Sequence, residues 1–185
     1  MGYLAKLTGP TATRTEILLQ FLAPAAIVAF LVYSQAAFLF GQGLLYTIVL
    51  CLLAFDVIGG VVTNETIAAR KWFNRDGVSK VKKWLFCLMH LVHICVLFLF
   101  LNEPALSGFL TYCTLFLMSF TFAILAPNYI SRAVAASLYC AFIVLFFEFD
   151  YFGLENFKYL LLIFHYKIVV AYSVSFHELE PVNNR

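Results

Sequence analysis

The chain has 185 residues, of which 63% are hydrophobic, 18% aromatic and only 12% charged, with a formal net charge of +2. Water-soluble domains carry about 25% charged residues, so half that share leaves too little polar surface to face water. With a mean hydropathy of +0.92 the expected solvent is lipid, and no separate soluble domain fits beside the apolar segments.

Windows of about 19 residues, the length that crosses the hydrocarbon, isolate six apolar stretches. They lie near 17–40, 43–62, 84–101, 109–126, 133–149 and 157–176. Backbone in lipid must satisfy its own hydrogen bonds, and long apolar stretches without strict alternation do so as helices rather than barrel strands. The sequence therefore predicts an all-α integral membrane protein, one six-helix transmembrane domain spanning residues 1–185. Pro24 is expected to kink the first span, because it removes a backbone donor. Gln20 and Gln35 on the same span are expected to hydrogen-bond between helices.

The second span carries Asp56, Gly60 and Asn64 at i, i+4 and i+8, a single stripe on one helical face, with Gly59 and Thr63 beside it. Glycine lets a neighbouring backbone approach closely, so the stripe is expected to be a packed interface that turns the carboxylate into the bundle. The long connection that follows contains Arg70, Lys71, Arg75, Lys80, Lys82 and Lys83, with a turn expected at Asn74 to Gly77. With Lys6, Arg14, Arg132 and Arg185 these charges fall on one side of a six-span plan, while the other side has only Lys158 beside Glu103, Asp150 and Glu155. The positive-inside rule then places both termini in the cytoplasm of a cell with this protein in its inner, plasma or organelle membrane. The six basic residues are also expected to touch anionic lipid; nucleic acid is not expected as a partner. Trp72, Trp84, Tyr151 and Tyr159 fall at interfacial positions.

The third span brings His90 and His93, at i and i+3 on one face. Counted from the expected cytoplasmic boundary at ~1.5 Å per residue, Asp56 lies about 10 Å deep, His90 about 9 Å and His93 about 14 Å, so the three meet if the two helices are neighbours. The sixth span adds His165 and Lys167 at similar depth. Two residues apart on a helix means faces roughly 200° apart, so only one of them can point at the Asp56 cluster. The cysteines Cys51, Cys87, Cys95, Cys113 and Cys140 show no Cys-x-x-Cys spacing and read as packing residues.

An ionisable side chain at membrane depth costs roughly 2.5 to 3.5 kcal/mol even on lenient scales, so each needs a partner or a purpose. The leading expectation is transport of a small solute, or proton-coupled movement, through Asp56, His90, His93, His165, Lys167 and Asn64, because chains of carboxylates and imidazoles relay protons in membrane transporters. The alternative is a metal-dependent membrane enzyme acting on a lipid or other apolar substrate, with Asp56, His90 and His93 as ligands to iron or zinc and His165 as a fourth. A haem b held between His90 or His93 and His165 is a further option for a cofactor. A third class is a non-catalytic subunit whose helices serve an oligomer or a membrane-complex partner, the polar residues being no more than interhelical glue.

Overall fold

In a computed structural model of the chain, the described residues are 2–75, 77–100, 106–148 and 157–174, with only the backbone of 99 and 100. The expected loop acids Glu103, Asp150 and Glu155, the interfacial Tyr151, the turn residue Asp76, and Arg185 lie outside them. Among the described residues there are helices and no strands. They are α1 (Tyr3–Thr8), α2 (Arg14–Ser34), α3 (Ala36–Gly41), α4 (Leu44–Glu65), α5 (Ile67–Phe73), α6 (Lys80–Phe100), α7 (Leu106–Leu125), α8 (Ser131–Glu148) and α9 (Lys158–His165), which runs on as a π-helix over Tyr166–Tyr172. Five of these, α2, α4, α6, α7 and α8, are long and apolar enough to cross a membrane.

The first apolar stretch is not one unbroken span. Helix α2 starts earlier than hydropathy suggests because Thr13 and Glu16 form a capping box: the Glu16 amide donates to Thr13 Oγ1 at 3.2 Å, and the Thr13 amide donates to Glu16 Oε2 at 2.8 Å. Glu16 Oε1 also accepts the Ala68 amide at 3.3 Å, tying this end of α2 to the start of α5. At the far end Gln35 leaves helical geometry at φ −116° and ψ 19°, and the short α3 follows. The Ser34 hydroxyl donates to Leu31 O at 3.1 Å, a local bond that competes with continuation of the helix. Pro24 lies inside α2 and packs against Gly59 of α4.

Helix α4 is the scaffold. It packs on α2, on α9 and on the π-helix, and its buried side includes Leu50, Ala54, Val57 and Ile58. It ends at Thr66, whose hydroxyl donates to Thr63 O at 2.7 Å, and the chain restarts as α5 rather than extending α4. Gln20 bridges this corner to α2, donating to Thr66 Oγ1 at 3.1 Å and to Thr8 O at 3.4 Å. Gly9 at φ +90° presses against the Ala68 carbonyl, where any side chain would overlap backbone atoms.

The sixth stretch departs most from expectation. It has eight α-helical and seven π-helical residues, shorter than the other five, and it is the most enclosed element among the described residues. Leu160, Leu161, Phe164, His165, Ile168 and Val169 are all fully buried. Helices α4, α7 and α8 surround it, so protein covers sides that the other long helices leave exposed. A central rod of this kind needs no lipid-facing surface of its own. The π turn is marked by the Ser173 amide donating five residues back to Ile168 O at 3.1 Å.

Candidate functional site

Lys167, within the π-helix, reaches α4 and lies along the stripe noted in the sequence. Its ammonium donates to Asp56 Oδ2 at 2.6 Å and to the Asp56 carbonyl at 3.1 Å. Its aliphatic stem lies over Gly60, where a Cβ would overlap Lys167 Cδ, Cε and Nζ. Asn64 completes the row by donating from Nδ2 to Lys167 O at 3.4 Å. Asp56, Gly60 and Asn64 are therefore three contacts with one residue: charge partner, empty space for the stem, and backbone clasp. Gly60 makes room for a side chain, not for a neighbouring backbone as the sequence suggested.

The pair is unequal. The Lys167 side chain is 4% exposed and that of Asp56 is 47% exposed, so the lysine is enclosed by protein while the carboxylate keeps one open side. On that side stands His93, with Nε2 at 3.4 Å from Asp56 Oδ2. The His90 and His93 rings stack at 5.0 Å between centroids and 17° between planes, as i, i+3 spacing on α6 requires. His90 Nδ1 lies 2.8 Å from Phe86 O. A carbonyl only accepts, so Nδ1 carries the hydrogen, and in a neutral ring Nε2 is then the nitrogen with a free lone pair. Phe86, one turn before His90, is thus a positioning residue that spacing did not single out.

Above this cluster opens a cavity of about 420 Å³. It extends from Asp56, Gly60, His90 and Lys167, past Gln20 and Thr63, to Leu7 and Thr8 of α1 and Phe73 of α5. Pockets of about 300 to 1,000 Å³ hold small ligands, typically with mostly apolar walls and a few convergent polar groups. The cavity falls in the lower part of that range.

His165 is not part of the cluster. Its ring stacks on Phe142 at 3.8 Å and 13°, with Phe116 and Tyr112 edge-on at 5.7 and 6.3 Å. The residue is fully buried, and neither ring nitrogen has a hydrogen-bond partner. The expected opposition of His165 and Lys167 is what the structure shows, with Lys167 taking the Asp56 side. The fourth-ligand and haem readings do not fit this arrangement. Phe164 stands 6.2 Å from His90, and Phe116 stands 5.4 Å from Phe164 and 5.7 Å from His165, so side chains fill the space a haem would need.

The basic connection also divides. Lys83 is 6% exposed and donates to Asn74 Oδ1 and, at 3.1 Å, to Ser173 O, clamping the start of α6 to the end of the π-helix. Arg70 lies 3.7 Å from Glu65 Oε2, with its side chain 12% exposed. Lys71, Arg75, Lys80 and Lys82 are exposed. All five cysteines are free. No protein-family model, curated protein or solved structure matches the chain.

Proposed function

We propose that the protein moves a small solute across the membrane, coupled to protons, with the Asp56, His93 and Lys167 cluster as the exchanging site. One observation carries this reading: the half-open carboxylate of Asp56 lies at the floor of a cavity while its cationic partner is enclosed. A pair serving only to hold two helices needs no open side, since its cost falls on whichever charge is left buried without its partner. Here the carboxylate keeps a face on which a proton or a cationic group can replace Lys167 or His93. Histidine suits the proton step because one ring nitrogen can take a proton while the other releases one.

In this reading the sixth stretch, α9 with its π-helix, is the moving centre. A π turn at a site marks a helix that departs from its lowest-energy geometry, and Lys167 sits within it. Release of Lys167 from Asp56 frees the rod to shift against α4. The five long helices with this rod make six crossings, the basic end is cytoplasmic, and the exposed Lys71, Arg75, Lys80 and Lys82 touch anionic headgroups there.

Proteoliposomes holding a pH-sensitive dye, clamped with potassium and valinomycin and given a step in external pH, test the proton path. Wild-type vesicles are expected to equilibrate faster than protein-free ones, and Asp56→Asn vesicles to match the protein-free rate. Equal rates for wild type and Asp56→Asn would overturn the proposal.

A further inference from the structure

We infer that the site formed by Asp56, His90 and His93 takes a divalent transition-metal ion of the zinc class, and that Lys167 holds the cation position until the ion arrives. As a statement about the transported solute this rests on the transport reading; as a binding site it stands on the geometry alone. One ligand atom from each of the three residues lies within 4.8 Å of the others. Zinc bonds to nitrogen and oxygen at about 2.0–2.2 Å, which sets the edges of a tetrahedron at roughly 3.4 Å. The His93 to Asp56 edge is already 3.4 Å. No pair of the three ligand atoms lies more than 4.8 Å apart, so shifts on the order of 1 Å complete the set.

Three features separate this set from a chance meeting of polar groups. The His90 Nδ1 hydrogen is held by Phe86 O, the outer-shell contact that fixes the tautomer and ring plane of metal-ligating histidines. The donors are two imidazoles and one carboxylate, a combination that favours zinc, iron or manganese over calcium and magnesium, which prefer all-oxygen shells. Two of the three, Asp56 and His90, line the cavity, which gives an ion a route to them. Lys167 Nζ, at 2.6 Å from Asp56 Oδ2, sits where an incoming ion must neutralise the carboxylate. An ion bonded to Oδ2 repels an ammonium held 2.6 Å from the same oxygen, so metal entry displaces Nζ. Entry of the ion and release of α9 from α4 are then one event, which gives the enclosed lysine a role beyond glue.

The test uses the full chain in detergent, stripped with a chelator and then dialysed against zinc, with cobalt as a visible-absorption reporter. One zinc per chain is expected, together with a cobalt spectrum of low-symmetry nitrogen and oxygen ligation. Asp56→Asn and His90→Ala each remove a direct ligand and are expected to weaken binding by more than the roughly 100-fold that loss of an outer-shell partner can cost. Lys167→Met removes the internal competitor and is expected to tighten binding about tenfold; Lys167→Gln serves where the methionine variant does not fold. Failure of the wild type and both Lys167 variants to bind zinc at one per chain would overturn the inference. So would binding that survives His90→Ala, His93→Ala and Asp56→Asn together, since that locates the ion elsewhere. The same protein in vesicles with an internal zinc dye separates the two proposals. Binding at one per chain without influx leaves the metal site standing and removes transport. Proton movement in vesicles whose protein binds no metal removes the metal site and leaves transport.

Discussion

Replacing Asp56 with asparagine removes the charge opposite Lys167 but keeps an oxygen able to accept its hydrogen bond, now made at 2.6 Å. The Lys167 side chain is 4% exposed, so its ammonium is left in a low-dielectric setting without a counter-charge. Removing one partner of a fully buried pair costs about 3–5 kcal/mol. Two features lower the figure here: the Asp56 side chain is 47% exposed, so part of the attraction is already screened, and the Asp56 carbonyl still accepts from Nζ at 3.1 Å. About 2 kcal/mol remains, roughly a 30-fold change in the folding equilibrium. The converse variant, Lys167→Met, leaves a carboxylate that already faces the cavity, and is expected to cost only about 1 kcal/mol. The double variant strands neither charge and is expected to be more stable than Asp56→Asn alone, with a coupling of about 1–2 kcal/mol. Reversible unfolding in mixed micelles reads all three. Equal stability of the wild type and Asp56→Asn, or a cycle additive within about 0.5 kcal/mol, would refute the pairing as an energetic contact.

Other substitutions probe the surroundings. Gly60→Ala places a methyl on the Lys167 stem and is expected to reproduce the loss of proton movement seen in Asp56→Asn while leaving the carboxylate in place; unaltered movement would contradict the seat assigned to Gly60. His165→Phe exchanges a ring with two unpartnered nitrogens for an apolar one of similar shape among Phe142, Phe116 and Tyr112. A gain of about 1–3 kcal/mol in the same unfolding assay is expected, since an unsatisfied buried group costs that much; a loss would mean that His165 has a polar partner in the membrane. Gly9→Ala combines φ +90° with overlap of the Ala68 backbone and is expected to cost about 1–3 kcal/mol, whereas Gly2→Ala, with open space around it, should be silent.

Sequence showed the composition, the apolar stretches and the Asp56, Gly60, Asn64 row because each follows from counting along one helix. It also separated His165 from Lys167, since residues two apart face opposite ways. It did not show which of the two turns to Asp56, because that depends on how the last helix is rotated against α4. The seven-residue π turn that carries Lys167 has no periodic signature in an apolar run. The break at Gln35 was hidden because Ala36 to Phe40 remain as apolar as the span before them, and window averages do not register one residue leaving helical geometry. Lys83 looked like its neighbours in a basic loop; its burial depends on Asn74 and on Ser173, the latter 90 residues away. The cavity combines residues from α1, α2, α4, α5, α6 and the π-helix, a juxtaposition no linear pattern encodes.

Solid-state NMR on protein in lipid, with ¹⁵N-labelled lysine and ¹³C-labelled aspartate, reads the Asp56 to Lys167 contact itself. The dipolar coupling between an aspartate side-chain carboxyl carbon and a lysine Nζ should match an ammonium 2.6 Å from Oδ2, and it should vanish in Lys167→Met. A spectrum with no such coupling in the metal-free wild type, or one unchanged by Lys167→Met, would contradict the account.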